Sequence, residues 1–427
     1  MMQSTNKILI IPSWYPTINN AIAGSFFKEQ AELLVNNDYD VKVLFGIYEQ
    51  QSHKQKPGRK KRLFVLLKEI LSPRKFDAGR FLTNLQSGIG TLLQNPPAYS
   101  FRLDGLSELE EHERFAVIFE AYGIELQKFL DNGWSPDIIH AQSSLDAGIF
   151  AHYLSVKFNI PFVIIEHQVF LLHRYSSYHQ QLVFQALAKA DKVGVVSEHQ
   201  KKIVLMQQPL CEPVVIWNLV DENQFKIKQH KTDKRFTVVS ITYPSPIKDY
   251  QTFFKAMKEL SLSDENFHYI VIGNDAFTDI SKANSDVFIA YSKELGVDHL
   301  GTFIPYLNRN QIADQLAECD VFVSTSIAET FGVAAREAMM CGLPVVTTAC
   351  GGIEDSITPE TGITVPIKDY KAVAKAISYI KNNGGKYNSP NIRDYVIGQC
   401  GKKTFINKIK AFYSLPIKEN VDSFPVN

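Results

Sequence analysis

Short, nearly unbroken apolar runs alternate along the chain with longer stretches whose apolar residues recur at helical spacing. KILIIPS (7–13) reads as a buried strand, FFKEQAELLVNN (26–37) as an amphipathic helix and DVKVLFG (40–46) as a second strand. Further strands are predicted at DIIHAQ (137–142), FVIIEH (162–167), KVGVVS (192–197) and PVVIWN (213–218), with helices near 145–158 and 178–190. Strands without polar alternation, separated by helices, belong to parallel sheets covered on both faces.

The polar stretch KIKQHKTDKR (226–235) reads as a linker, after which the alternation restarts. FTVVSI (236–241), HYIVIGN (268–274), DVFVSTS (320–326) and PVVTTA (344–349) are predicted strands. YQTFFKAMKEL (250–260), a segment near 310–318 and AAREAMMCG (334–342) are the helices between them. The pattern predicts an α/β chain of two doubly wound domains, 1–225 and 226–401. A last helical pattern at 402–413, within 402–427, is expected to pack back on the first domain. Ligands of such sheets bind beyond the carboxyl ends of the strands, so the cleft between the domains is the expected site.

A length of 427 residues suits two or three domains. Lys plus Arg and Asp plus Glu are 45 each, a balance that argues against a general nucleic-acid binder. The five cysteines include no C-x-x-C pair, so zinc and redox sites lack support and a reducing cytosol is expected. The apolar run near the N-terminus, ILII, is too short for the core of a signal peptide. No run approaches the roughly 20 apolar residues that span a bilayer. The chain is therefore expected to be cytoplasmic, soluble or peripheral on the inner membrane face. No G-x-G-x-x-G follows the first strand, since Gly88-Ile-Gly90 lacks the third glycine, and no P-loop occurs.

The most informative stretch is STSIAETFGVAAREAMMCGLPVV (324–346), with seven residues between Glu329 and Glu337. A strand here is followed by a helix that opens at Thr330, Phe331 and Gly332. Free N–H groups and the positive dipole end of such a helix suit a diphosphate. Glu329 lies just before that end and Glu337 more than one turn inside it. The two carboxylates would face different parts of one extended ligand, the ribose hydroxyls and the sugar hydroxyls beyond the phosphates.

This stretch resembles the Glu-x7-Glu signature of glycosyltransferase family 4, retaining enzymes that use nucleotide sugars. Other segments resemble the family in order. PSWYP…AGSFFKEQAELL is similar to its acceptor-side loop and first helix, and DIIHAQSSLDAG to its D-[IV]-[IV]-H-[AT]-H strand end, with Gln142 in place of the second His. FVIIEHQ ends in Glu166-His167, where the family carries a cleft histidine, and ADKVGVVSEHQKK resembles the strand that ends in Ser197. VIWNLVDENQF resembles P-N-G-V-D-x-x-x-F with Leu219 in place of Gly, and TACGGIEDSI resembles the GG-x-x-E turn with Asp355 at the acidic position.

The resemblance implies a GT-B fold, two Rossmann-like domains facing across a cleft, with the donor on the C-terminal domain and the acceptor on the N-terminal one. It implies catalytic contacts from His167, Glu329 and Lys248. Donor contacts would come from Glu337, Thr330, Phe331, Gly332, Tyr243, Asn218 and Ser326, and acceptor-side positions would be Gly24, Ser25 and His140. The implied partners are a UDP- or GDP-sugar and a glycan or lipid-linked acceptor of surface polysaccharide synthesis. The nucleotide sugar is a substrate, so no cofactor is expected, and no metal either. A sugar-nucleotide-binding subunit of low activity, or an epimerase or hydrolase on the same scaffold, are the alternatives.

One departure stands out. The family usually has G-R-L-x-x-x-K after the first strand of its C-terminal domain, and this chain reads SITYPSPIKDY, with Lys248 in place but Tyr243 at the Arg position. Either Lys248 carries a larger share of the diphosphate charge, or a cation such as Arg309 or Arg336 assists. Finally, 53–75 is basic, with Lys60, Lys61 and Arg62 at its centre and Glu69 as its single acid. It reads either as a solvated loop or as a patch attracted to anionic lipid.

Overall fold

The computed structural model describes residues 6–16, 24–48, 78–83, 85–87, 95–228, 235–273 and 285–414. The basic segment 53–75 and Gly88-Ile-Gly90 lie outside the described residues.

The first sheet contains β1 (Lys7–Pro12), β2 (Asp40–Tyr48), β3 (Gln86–Ser87), β4 (Ala98–Leu103), β5 (Ile138–Gln142), β6 (Phe162–Glu166), β7 (Lys192–Val195) and β8 (Val214–Val215). Their order is β3-β4-β2-β1-β5-β6-β7-β8, parallel throughout except for the short β3–β4 pair. The second sheet contains β9 (Phe236–Ile241), β10 (Phe267–Ile272), β11 (Gly301–Ile304), β12 (Val321–Ser324), β13 (Val345–Thr348) and β14 (Gly362–Val365), in the order β11-β10-β9-β12-β13-β14. In each sheet the chain first steps outward on one side and then resumes on the other. The switch points fall between β1 and β5 and between β9 and β12, and crevices at such points hold ligands in doubly wound folds.

Burial on both faces explains the unbroken apolar runs. Along β1, Ile8 and Ile10 join a core with Phe27, Ala31 and Leu34 of the helix Ser25–Val35. Leu9 and Ile11 face the opposite way, into a core with Phe119, Tyr122 and Leu126. Those three belong to the helix Glu111–Asp131, which the sequence reading did not assign.

The domains are joined by two crossings. Ile216 donates the last hydrogen bond of the β7 edge, to the Val195 carbonyl at 2.8 Å, after which the chain leaves the sheet. This is why the strand expected over 213–218 is only two residues long. The return crossing lies beside it, where Val220 N–H reaches the Cys400 carbonyl at 3.0 Å. The helix Lys402–Tyr413 then packs on the N-terminal domain, with Lys192 Nζ donating to the carbonyls of Ala411 at 3.0 Å and Ser414 at 2.8 Å.

Candidate functional site

The residues after β12 fold as a bridge between two other loops. Ile327 N–H donates to the Ile247 carbonyl at 2.6 Å, and Thr325 Oγ1 to the Asp249 carbonyl at 2.9 Å, which ties them to the loop after β9. Glu329 N–H donates to the Cys350 carbonyl at 2.8 Å and its own carbonyl accepts from Gly352 N–H at 2.9 Å. This second tie holds the loop after β13 against the first. Gly332 caps the helix Val333–Met340 in the left-handed region, φ 75°. The first-turn N–H groups of a helix lack intrahelical acceptors, and here they face a cavity.

That cavity has a volume of about 280 Å³ and lies between the domains. Its C-terminal wall is Tyr243, Lys248 and Glu329 with Thr330 to Ala335, and its N-terminal wall is Trp14, Phe26, His167 and Asn218. Sequence reasoning named His167, Asn218, Tyr243, Lys248 and Glu329 to Gly332 as site residues and placed Trp14 and Phe26 only near the acceptor-side loop; Ile353, also in the lining, carried no chemical signal.

Lys248 forms an ion pair with Glu329, whose Oε1 also accepts from Ser326 Oγ at 2.9 Å. Burial works against the Lys248 charge, but the adjacent Glu329 carboxylate outweighs it and holds the amine above its ordinary value. The ammonium also sits 5.5 Å from the centre of the Tyr243 ring. Among the described residues lining the cavity, Lys248 is the only Lys or Arg.

His167 packs edge-on against Phe27, ring centres 4.8 Å apart, and neither ring nitrogen makes a well-formed hydrogen bond. Burial, reinforced by nearby His140, lowers its pKa to about 3, with only partial compensation from Asn218. The imidazole is thus neutral at physiological pH. Its backbone is fixed by Glu166, a fully buried carboxyl that accepts from the N–H groups of Ser144 at 2.8 Å, His167 at 2.9 Å and Gln168 at 2.7 Å.

Other expected residues sit elsewhere, and these placements correct the sequence reading. Glu337 lines no part of this cavity; it is buried and ion-paired with Arg309, which also reaches Glu29 of the N-terminal domain at 2.9 Å. The helix periodicity turns Glu337 away from the N-terminal end toward the neighbouring helix Arg309–Leu316. His140 is buried under the last helix, its Nδ1 2.8 Å from the Tyr413 hydroxyl, and does not face an acceptor. Ser326 is buried and touches Glu329, one step behind the cavity wall. Gly24 caps the helix Ser25–Val35 against Trp14, and Ser25 borders a second cavity of about 700 Å³ with Arg309. Glu29, Glu32, Asp221 and Asp314 line that second cavity, a charge pattern that disfavours an anionic phosphate. Arg309 and Arg336 are both engaged outside the 280 Å³ cavity, so neither clamps a diphosphate directly.

Burial, with Glu29 adding to it and Arg309 opposing, raises the Glu337 pKa to about 7. A folded-state value above the unfolded one means that folding takes up a proton. This contribution to stability is complete below the ordinary carboxyl value and is lost as pH rises through about 7. Denaturant unfolding at pH 5 and pH 8 should therefore show a stability drop in the wild type that is smaller in Glu337→Gln. An equal drop in both would place the titration elsewhere.

Among the described residues no helix is long and apolar enough to cross a membrane, and no cluster of His, Cys, Asp and Glu is arranged to hold a metal ion.

The profile described as "Glycosyl transferases group 1" matches residues 221–395, and "Glycosyltransferase Family 4" matches 111–224. "Uncharacterized glycosyltransferase MJ1607" of Methanocaldococcus jannaschii is 30% identical over 113 residues, 26% of this chain and 27% of that one. The matched stretch thus spans about a quarter of that relative's length. Sucrose-phosphate synthase from Thermosynechococcus elongatus superposes with a TM-score of 0.69 at 17% identity, covering 96% of this chain and 98% of that one. Anabaena HepE in complex with UDP-glucose gives a TM-score of 0.66 at 17% identity, covering 96% and 99%. At these identities the two structures speak to the fold alone.

Proposed function

Because the chain belongs to the family 4 type of GT-B glycosyltransferases, we propose that it is a retaining enzyme moving a sugar from a nucleotide diphosphate to a glycan or lipid-linked acceptor. The observation that carries this is the convergence of a helix N-terminus, Lys248 and Glu329 on one interdomain cavity. The leaving diphosphate occupies the helix end beside Lys248, where developing negative charge meets preorganised N–H groups and an ammonium. Glu329 lies within reach of the sugar hydroxyls, and the neutral His167 contacts the sugar from the opposite domain as a hydrogen-bonding group. The acceptor approaches from the N-terminal domain, and the donor phosphate takes its proton. Catalysis then consists of positioning and charge stabilisation. A solved neighbour of the same fold is in complex with UDP-glucose, so a uridine nucleotide sugar is the first donor to test. Synthesis of a surface polysaccharide at the inner membrane face is the setting in which such an acceptor is met.

The test is nucleoside diphosphate release from UDP-glucose, UDP-N-acetylglucosamine and GDP-mannose, with and without a membrane-lipid extract as acceptor. Acceptor-dependent release that persists in EDTA is the expected result. Release independent of acceptor would indicate a hydrolase. No release from any donor would indicate a binding subunit.

A further inference from the structure

Arg336 is the largest fully buried side chain of the described residues, and no carboxylate among them lies within salt-bridge distance of it. Its guanidinium donates to the Phe331 carbonyl and, at 3.0 Å, to the Gly352 carbonyl. It lies 3.9 Å from the centre of the Phe331 ring and 5.3 Å from that of Trp217, and its Nε has no partner. Glu329 and Asp355 act on it only at longer range. A buried charge without an ionic partner is costly, so a cation kept here has a use that an apolar side chain of similar size does not serve. Phe331 both lines the cavity and packs on this guanidinium, so the charge sits directly behind that part of the wall.

We propose that Arg336 is a positioning residue that supplies the second positive charge for the donor diphosphate from behind the cavity wall. It acts by field rather than contact, in a chain whose Tyr243 replaces the expected direct cation. Its two carbonyl bonds fix the segment 330–332 to the loop 351–352, so the helix N-terminus and the guanidinium point their positive potential at one place. Fields act strongly across low-dielectric walls that salt does not penetrate. The inference rests on the donor-site reading above and goes beyond it in assigning a remote charge.

Equilibrium binding of uridine, UMP and UDP, with the guanosine series in parallel, tests it on the full chain. Wild-type affinity should climb with phosphate number. Arg336→Gln, which keeps a donor for the carbonyls but removes the charge, should weaken UDP on the order of tenfold, UMP less and uridine not at all. Arg336→Lys should recover most of the UDP affinity. Equal weakening of all three ligands would reduce Arg336 to a packing role, and unchanged affinities would overturn the proposal outright. Should the Arg336 variants not fold, Lys248→Ala serves instead. With the direct cation gone, it should still bind UDP about tenfold tighter than uridine. Equal affinities there would overturn the proposal. A wild type that binds UDP no tighter than uridine would instead remove the donor-site reading itself.

Discussion

Replacing Lys248 with alanine is expected to lower transfer on the order of 10²–10³-fold while leaving free nucleoside binding nearly unchanged. The leaving diphosphate gains charge as the glycosidic bond breaks, and a fixed cation facing it acts mainly in the transition state. Tyr243 occupies the position from which a second direct cation would come, Arg309 is held by Glu29 and Glu337, and Arg336 stays behind Phe331. Lys248 is therefore the one cationic side chain of the described wall, and Glu329 keeps it charged. Glu329 would not be stranded by the substitution, because Ser326 Oγ still donates to it at 2.9 Å. Steady-state kinetics with donor varied, alongside nucleoside titration, separates the two effects. A variant with near-normal turnover would mean that the phosphates lie elsewhere.

The second large effect is expected at Gly352. A Cβ built there would stand 2.0 Å from the Thr330 carbonyl oxygen and 2.6 Å from Phe331 N, both backbone atoms. Neither can move aside as a side-chain end would. Gly352→Ala must part the loop 350–352 from the segment 329–331. That movement loosens the mutual Glu329–Cys350 and Gly352–Glu329 hydrogen bonds and the Arg336 bond to the Gly352 carbonyl. Overpacking of this kind costs about 1–3 kcal/mol in stability, and displacement of Glu329 should lower turnover by at least 10²-fold, since misplacement of about 1 Å is enough for that. Gly385→Ala is the control, because nothing lies within 4 Å of its Cβ position. Thermal melts and turnover of the two variants should diverge sharply; similar behaviour would show that the loop contact does not hold the site.

Much of this architecture was legible in the sequence because buried parallel strands need continuous apolar runs. KILIIP and FTVVSI each fill both faces of a sheet, and both runs are strands in the structure. The last helix was legible from its spacing alone, since Phe405, Ile406, Ile409, Phe412 and Tyr413 form one buried face. Less legible was the edge of the first sheet. The strand Ala98–Leu103 carries an exposed Arg102, and β3 has two residues, too few for any periodicity.

In the site, Lys248 and Glu329 were indicated by the resemblance of SITYPSPIKDY and STSIAETFGVAAREAM to the family's segments, with Glu329 also placed just before a helix start. The direction of each side chain was not written in that way. Glu337 turned toward Arg309 and His140 toward Tyr413, because their partners come from elements 28 and 273 residues away. Arg336 was named as a possible assisting cation, but its partners were not legible, because its acceptors are backbone carbonyls, which every residue carries.

The most direct measurement of the central claim is the anomeric configuration of the glycoside formed from an α-linked UDP-sugar, read by proton NMR on product made with the lipid extract. A product with the donor's α configuration, formed on the order of 10²–10³-fold more slowly when Lys248 is alanine, is the expected result. A β-linked product, or an α product formed equally well by the Lys248→Ala variant, would contradict retaining transfer at this cavity.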